Sequence, residues 1–236
     1  MKTLATMDVE GVIARRIESF KKYDYPLEKG KPQPFITISR EFGCESFETA
    51  TRLVDKLSAI TESGPPWDAF DKTLVEWVAK GDQLLERIID SMPPEHRRHY
   101  EEFLKVMELK TTSCDKLFIR MARVIKCIAW HGRAVIIGRG GYLVCADMPA
   151  GFHVQMVAPK KWRLEQAALQ HDFDSEYEAE KYVDMMDKTR KQFFCYHFCR
   201  EAGHRDDFDL VINNARCSPS EMVDMIICGM KQRGLV

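Results

Sequence analysis

Phe35-Ile36-Thr37-Ile38-Ser39-Arg40-Glu41-Phe42-Gly43 follows Pro32 and Pro34, and its first five residues form a β-branched apolar run that enters a glycine-containing turn. A run of this kind predicts a short buried strand. Immediately downstream, Phe47, Ala50, Leu53, Val54 and Leu57 recur at intervals of three and four, so a helix over about 46–58 lays one apolar stripe back on the strand it has just left. Strand, turn and helix in that order open an α/β unit. Working outward, residues 134–138, 152–158 and 209–213 read as three more short apolar strands, and a shorter one fits near 67–70. Helices separate them. One carries the stripe Leu117, Phe118, Met121, Val124, Ile125 and Ile128 and stops at Gly132. Another starts in the turn at Pro159, a long one is capped by Ser175 and runs to about 199, and a last one begins at the capping box Ser218-Pro219-Ser220-Glu221. Alternation of this kind predicts a mainly parallel sheet with helices on both faces, and therefore ligands beyond the carboxyl ends of the strands.

The 236 residues are 45% hydrophobic and 30% charged, enough for a well-cored domain and too apolar for disorder as the main state. With 35 Lys+Arg against 36 Asp+Glu the net charge is -1, so no overall basic field exists to hold nucleic acid. No apolar run approaches the ~18 residues of a membrane span, and no long apolar stretch follows Lys2, so the expectation is a cytoplasmic protein without a bilayer helix or secretory signal. Eight cysteines are scattered rather than paired at short spacing, which predicts free thiols. Cys195, His197, Cys199 and His204 form the one local cluster of soft ligands. It reads either as a tetrahedral metal site or as an apolar helix face beside Phe194 and Phe198.

Residues 1–34 divide into an amphipathic stretch (Val9, Val12, Ile13, Ile17, Phe20) and a linker broken by prolines. The stretch packs on its own domain or mediates homo-oligomer assembly. Residues 35–236 form the main domain, with a helical insertion over about 71–112 and a lid with the long helix over about 171–200. Thr112 to Asp115 provide a capping box at the insertion's exit.

The segments ITISREFG, HGRAVIIGRGG, FHVQMVAP, DKTR and DLVINNARCSPSE occur in order over about 35–232. Together they resemble the cytidylate kinase-like family of P-loop nucleoside monophosphate kinases. The resemblance implies a three-layer P-loop kinase fold, with a helical region over the acceptor nucleotide and a lid over the phosphates. It also implies ATP and Mg2+ as cofactors, and transfer of a phosphoryl group to a nucleoside monophosphate such as CMP. Arg139, between Gly138 and Gly140 at a strand end, is similar by position to the arginine that grips the acceptor phosphate, although Ile137 stands where an aspartate is usual. In the long helix Asp184, Asp187 and Arg190 match the later part of an RDxxDxxR pattern whose first arginine is here Val183. By residue type alone these carboxylates and cations form a solvated helix face. Arg163 follows the third strand, where related kinases place basic residues near the lid.

The first turn departs most from the pattern. Relatives read roughly SREFGSGGRE, whereas this chain has Cys44-Glu45-Ser46-Phe47 after Gly43. A phosphate cradle needs glycines that let backbone N–H groups approach, a cation and a hydroxyl for magnesium. Gly43, Ser39, Arg40, Ser46 and Thr49 are what remains for a donor nucleotide, and Glu45 adds a negative charge. Two readings follow: a nucleotide kinase using Arg139, Asp187 and Arg190 on the acceptor side, or a catalytically silent nucleotide-binding or protein-interaction member of the same fold.

Overall fold

The computed structural model describes residues 33–61, 64–71 and 116–236, with the single positions 101 and 105. The expected N-terminal helix, most of the insertion and the capping box at 112–115 lie outside these residues.

Five strands form one sheet: β1 (Phe35–Arg40), β2 (Asp68–Phe70), β3 (Ala134–Ile137), β4 (Gly151–Val157) and β5 (Leu210–Asn213). Their order is β2-β3-β1-β4-β5 and every pairing is parallel. β1 is central, with Ile36 opposite both Val135 and Phe152. Strand periodicity then sends alternate residues to opposite faces. Ile36, Ile38, Val135, Ile137, Phe152, Val154, Met156 and Ile212 pack on one face against α1 (Phe47–Ile60) and α6 (Pro219–Gln232). Phe35, Ala134 and Ile136 pack on the other against α2 (Lys116–His131) and the short α3 (Gly141–Val144). Helices α4 (Lys160–Gln170) and α5 (Glu176–Phe198) form a hairpin beyond the end of β4. The fold is therefore α/β, with three layers, as periodicity predicts.

The helix starts follow their sequence signals. Ser175 accepts from Glu178 N at 3.2 Å, and Ser218 and Glu221 close a reciprocal box over Pro219. Pro159 is the residue just before α4, one step outside its expected place in the first turn. β3 stops at Ile137 because Gly138, Arg139 and Gly140 all have positive φ, which ends the extended chain. No described helix is long and apolar enough to cross a membrane.

Candidate functional site

Because all strands run the same way, their carboxyl ends deliver Arg40 to Ser46, Gly138 to Gly140, Ala158 onward and Asn213-Asn214 to one edge of the sheet. Four features organise that edge.

The first is the run of three left-handed residues after β3, with φ of 77° at Gly138, 52° at Arg139 and 70° at Gly140. Glycine adopts this conformation freely and an arginine does so at a cost of order 1 kcal/mol. The run turns the chain sharply into α3 and leaves the Arg139 guanidinium 5.9 Å from the centroid of Phe193 on α5. Burial lowers the Arg139 pKa.

Arg190, also on α5, has its pKa lowered by burial, with the Asp187 charge acting in the opposite sense. Arg190 and Arg139 both lie close enough to Arg40, at the end of β1, to disfavour its charge. Burial is the larger cause and brings the Arg40 pKa to about 10. Three guanidinium groups from three elements thus lie near one another at the strand ends, with the charges of Asp71 and Glu45 acting in the opposite sense on Arg40.

The third feature is a brace. Arg163 on α4 is 6% exposed, and it donates to Ala158 O at 3.2 Å, Phe42 O at 3.1 Å and Asp187 Oδ2 at 2.8 Å. Glu41 Oε2 is 3.4 Å from its Nε and accepts from Ala158 N at 3.0 Å. Asp184 pairs with Lys160 at 2.8 Å, and Lys160 also reaches Glu180. The two acids of α5 therefore meet cations of α4, rather than the lysines and arginine of their own helix. Phe42 adds a ring contact, with its centroid 5.4 Å from Tyr182, and His171 and Phe173 join the same cluster. The α4–α5 hairpin is bound to the turn after β1 by these contacts. Gly43 belongs to this joint: at φ 87° its Cα faces the backbone of Arg163, whose carbonyl oxygen would lie 2.6 Å from an added Cβ.

The fourth feature is the start of α1. Glu45 turns its carboxylate onto the helix, where Oε1 accepts from Phe47 N at 2.6 Å and Glu48 N at 3.1 Å. Glu45 N donates to the buried Asn214 side chain at 2.7 Å. An anion at a helix N-terminus satisfies orphan N–H groups and the positive end of the dipole. Ser46 makes no capping bond, and Thr49 Oγ1 is fully buried with no hydrogen-bond partner. Magnesium and donor phosphates need free N–H groups and an open hydroxyl here, and the residues present do not fit them. Burial, followed by the Glu41 charge, pushes the Cys44 thiol up to about 12, so it stays protonated.

The structure thus brings Arg40, Arg139 and Arg190 near one another at the strand ends, ties Asp187 and Asp184 to α4, and leaves Ser39, Ser46 and Thr49 without an open phosphate cradle. Glu45 as a cap, Asn214 as its support, Glu41 as a partner of Arg163 and Ala158, and Phe193 beside Arg139 were not legible in the sequence. An acid two residues ahead of an apolar stripe was the available signal for Glu45.

The central strand leads through a turn into a helix, in a parallel 2-3-1-4-5 sheet with arginines at the strand ends. The model of the cytidylate kinase-like family matches residues 35–216. The chain belongs to the cytidylate kinase-like family. Membership supports a nucleotide kinase-like fold and nucleotide use at that general level. The chain is similar to the crystal structure of an uncharacterized protein from Eubacterium ventriosum, with 21% identity, a TM-score of 0.64, and coverage of 85% of this chain and 99% of that one. That similarity shows the shared fold. No curated protein matches. Within the family framework, the soft-ligand cluster does not assemble: no group of three metal-capable residues occurs among the described residues. Cys195 and Cys199 are exposed, and His197 stacks on Phe118 at 4.0 Å.

Proposed function

We propose that this protein binds a nucleoside monophosphate such as CMP in the cleft at the strand ends, with its phosphate on Arg139 and Arg190, and that phosphoryl transfer from ATP is impaired or absent. The observation that carries this reading is the left-handed Gly138-Arg139-Gly140 run. A non-glycine residue held in a costly conformation at a strand's carboxyl end, beside Phe193 of the helix that also carries Arg190, is arranged for a ligand rather than for stability. Guanidinium groups grip phosphate with paired, charge-assisted hydrogen bonds. The chain's own residues would bind and orient the monophosphate, while the α4–α5 hairpin limits access of water.

Family membership favours a second reading, that of an active kinase in which ATP and Mg2+ use the turn over 39–49. The Glu45 carboxylate on the α1 N–H groups weighs against it. Calorimetry of the full chain against a panel of monophosphates, with the unphosphorylated nucleosides as reference, tests the first reading. Monophosphate binding that depends on the phosphate supports it, and equal affinity for nucleoside and nucleotide defeats it. A coupled assay for ADP release with magnesium-ATP and the bound monophosphate separates the two readings.

A further inference from the structure

Arg40 is the last residue of β1 and leads into the turn that a P-loop protein devotes to its donor nucleotide, yet its side chain leads away from that turn. It crosses Gly138, where an added Cβ would collide with Arg40 Nη1. Its cationic neighbours are Arg190 of α5 and Arg139 of the β3–α3 turn. Among the described residues the half-buried Arg40 side chain makes no hydrogen bond or ion pair. Glu45, the acid on its own turn, is bonded instead to the N–H groups of Phe47 and Glu48. Asp187, the acid beside Arg190, is bonded to Arg163. The charges of Asp71, just after β2, and of Glu45 offset part of the repulsion. A partly desolvated cation beside two others, with Glu45 and Asp187 hydrogen-bonded elsewhere, is matched by an anion that enters from solvent.

We propose that Arg40 is a third phosphate-binding arginine of the acceptor cleft, completing with Arg139 and Arg190 a cage for a phosphate monoester dianion. This deepens the monophosphate reading and rests on it for the identity of the ligand. A monoester offers three terminal oxygens, one for each guanidinium, and two charges against their three. A diester offers two oxygens and one charge, and leaves most of the repulsion in place. Charge on the donor side is correspondingly reduced, since the α1 N-terminus holds Glu45 and the turn's one arginine points away.

The test uses the full chain and the variants R40Q and R40K, titrated calorimetrically with CMP, inorganic phosphate and cytidine without magnesium, and separately with magnesium-ATP. The cage requires R40Q to bind CMP and inorganic phosphate about tenfold or more weaker than wild type, with cytidine unchanged and R40K intermediate. Melting curves verify folding, and R40Q should melt no lower than wild type, because it loses a repelled cation. Unchanged phosphate affinity in R40Q, or a loss confined to magnesium-ATP, overturns the assignment while leaving the monophosphate reading intact. Arg40-dependent binding of inorganic phosphate without binding of any nucleoside monophosphate upholds the cage and removes the nucleotide reading. Wild-type protein that binds no phosphate at all overturns both.

Discussion

Two arginines with similar sequence credentials behave differently at the scale of the single residue. Arg139 was legible, because a cation between two glycines after a buried strand has few structural duties, and its left-handed backbone agrees. Arg139→Ala should weaken monophosphate binding by about 1.5 to 3 kcal/mol, the range for a hydrogen bond to a charged group, with little change in melting temperature. Calorimetry beside thermal unfolding checks both halves, and unaltered affinity would return Arg139 to a surface role. Arg163 looked like a ligand-side residue because it follows the third strand, but the structure engages its guanidinium with two carbonyls and Asp187. Arg163→Met should therefore cost about 2 to 4 kcal/mol of stability, since it leaves carbonyl groups and a carboxylate partly unmatched. Urea unfolding measures it. Undiminished stability with lost nucleotide affinity would support the ligand role instead.

At the scale of the element, the turn after β1 and the helix it feeds determine whether a donor nucleotide has a place. Glu45 occupies the N–H groups that a cradle would present, and the hydroxyl of Thr49 is closed off. Magnesium-ATP should accordingly bind with a dissociation constant on the order of 1 mM or weaker, no more than ~4 kcal/mol. Replacing residues 44–47 with Ser-Gly-Gly-Arg frees those donors and supplies a cation. Affinity should rise at least about tenfold, or ~1.4 kcal/mol, with a gain that shrinks in high salt. Tight binding by the unaltered chain, or no gain from the repaired turn, would count against the reading of Glu45. The helix starts at Ser175 and Ser218 could be read from residue order because a cap is local. Ser218→Ala should cost about 1 kcal/mol through loss of the box, measured by denaturant unfolding. The α1 cap was harder to read, because the acid that supplies it is itself placed by Asn214, a residue far along the chain at the end of β5.

Across the whole molecule, stability should depend on pH through a partly buried pair that bridges β1 and β4. Thr37 Oγ1 and His153 Nδ1 are hydrogen-bonded at 2.7 Å between β1 and β4, and burial lowers the His153 pKa below its ordinary 6.5. A depressed folded pKa means that the unfolded chain takes up the proton first. The stability contribution is therefore complete above about pH 6.5 and is lost as pH falls through the lowered folded value. Unfolding free energies between about pH 7 and 5 should decline for wild type and decline less for His153→Gln, whereas parallel profiles would dismiss His153 as the cause. The sequence by itself determined the α/β class, the approximate places of the strands, the capped helix starts and the strand-end arginines. Each of these depends on periodicity or on neighbours within a few residues. Only the tertiary structure decided that Arg40 lies with Arg139 and Arg190, that Asp187 serves Arg163, and that Glu45 fills the start of α1. The arginines come from separate elements around the parallel sheet, Arg163 and Asp187 from the two helices of one hairpin, and the Glu45 cap is held by Asn214 from beyond β5. Which carboxylate meets which cation depends on distances of a few ångströms that residue order does not encode.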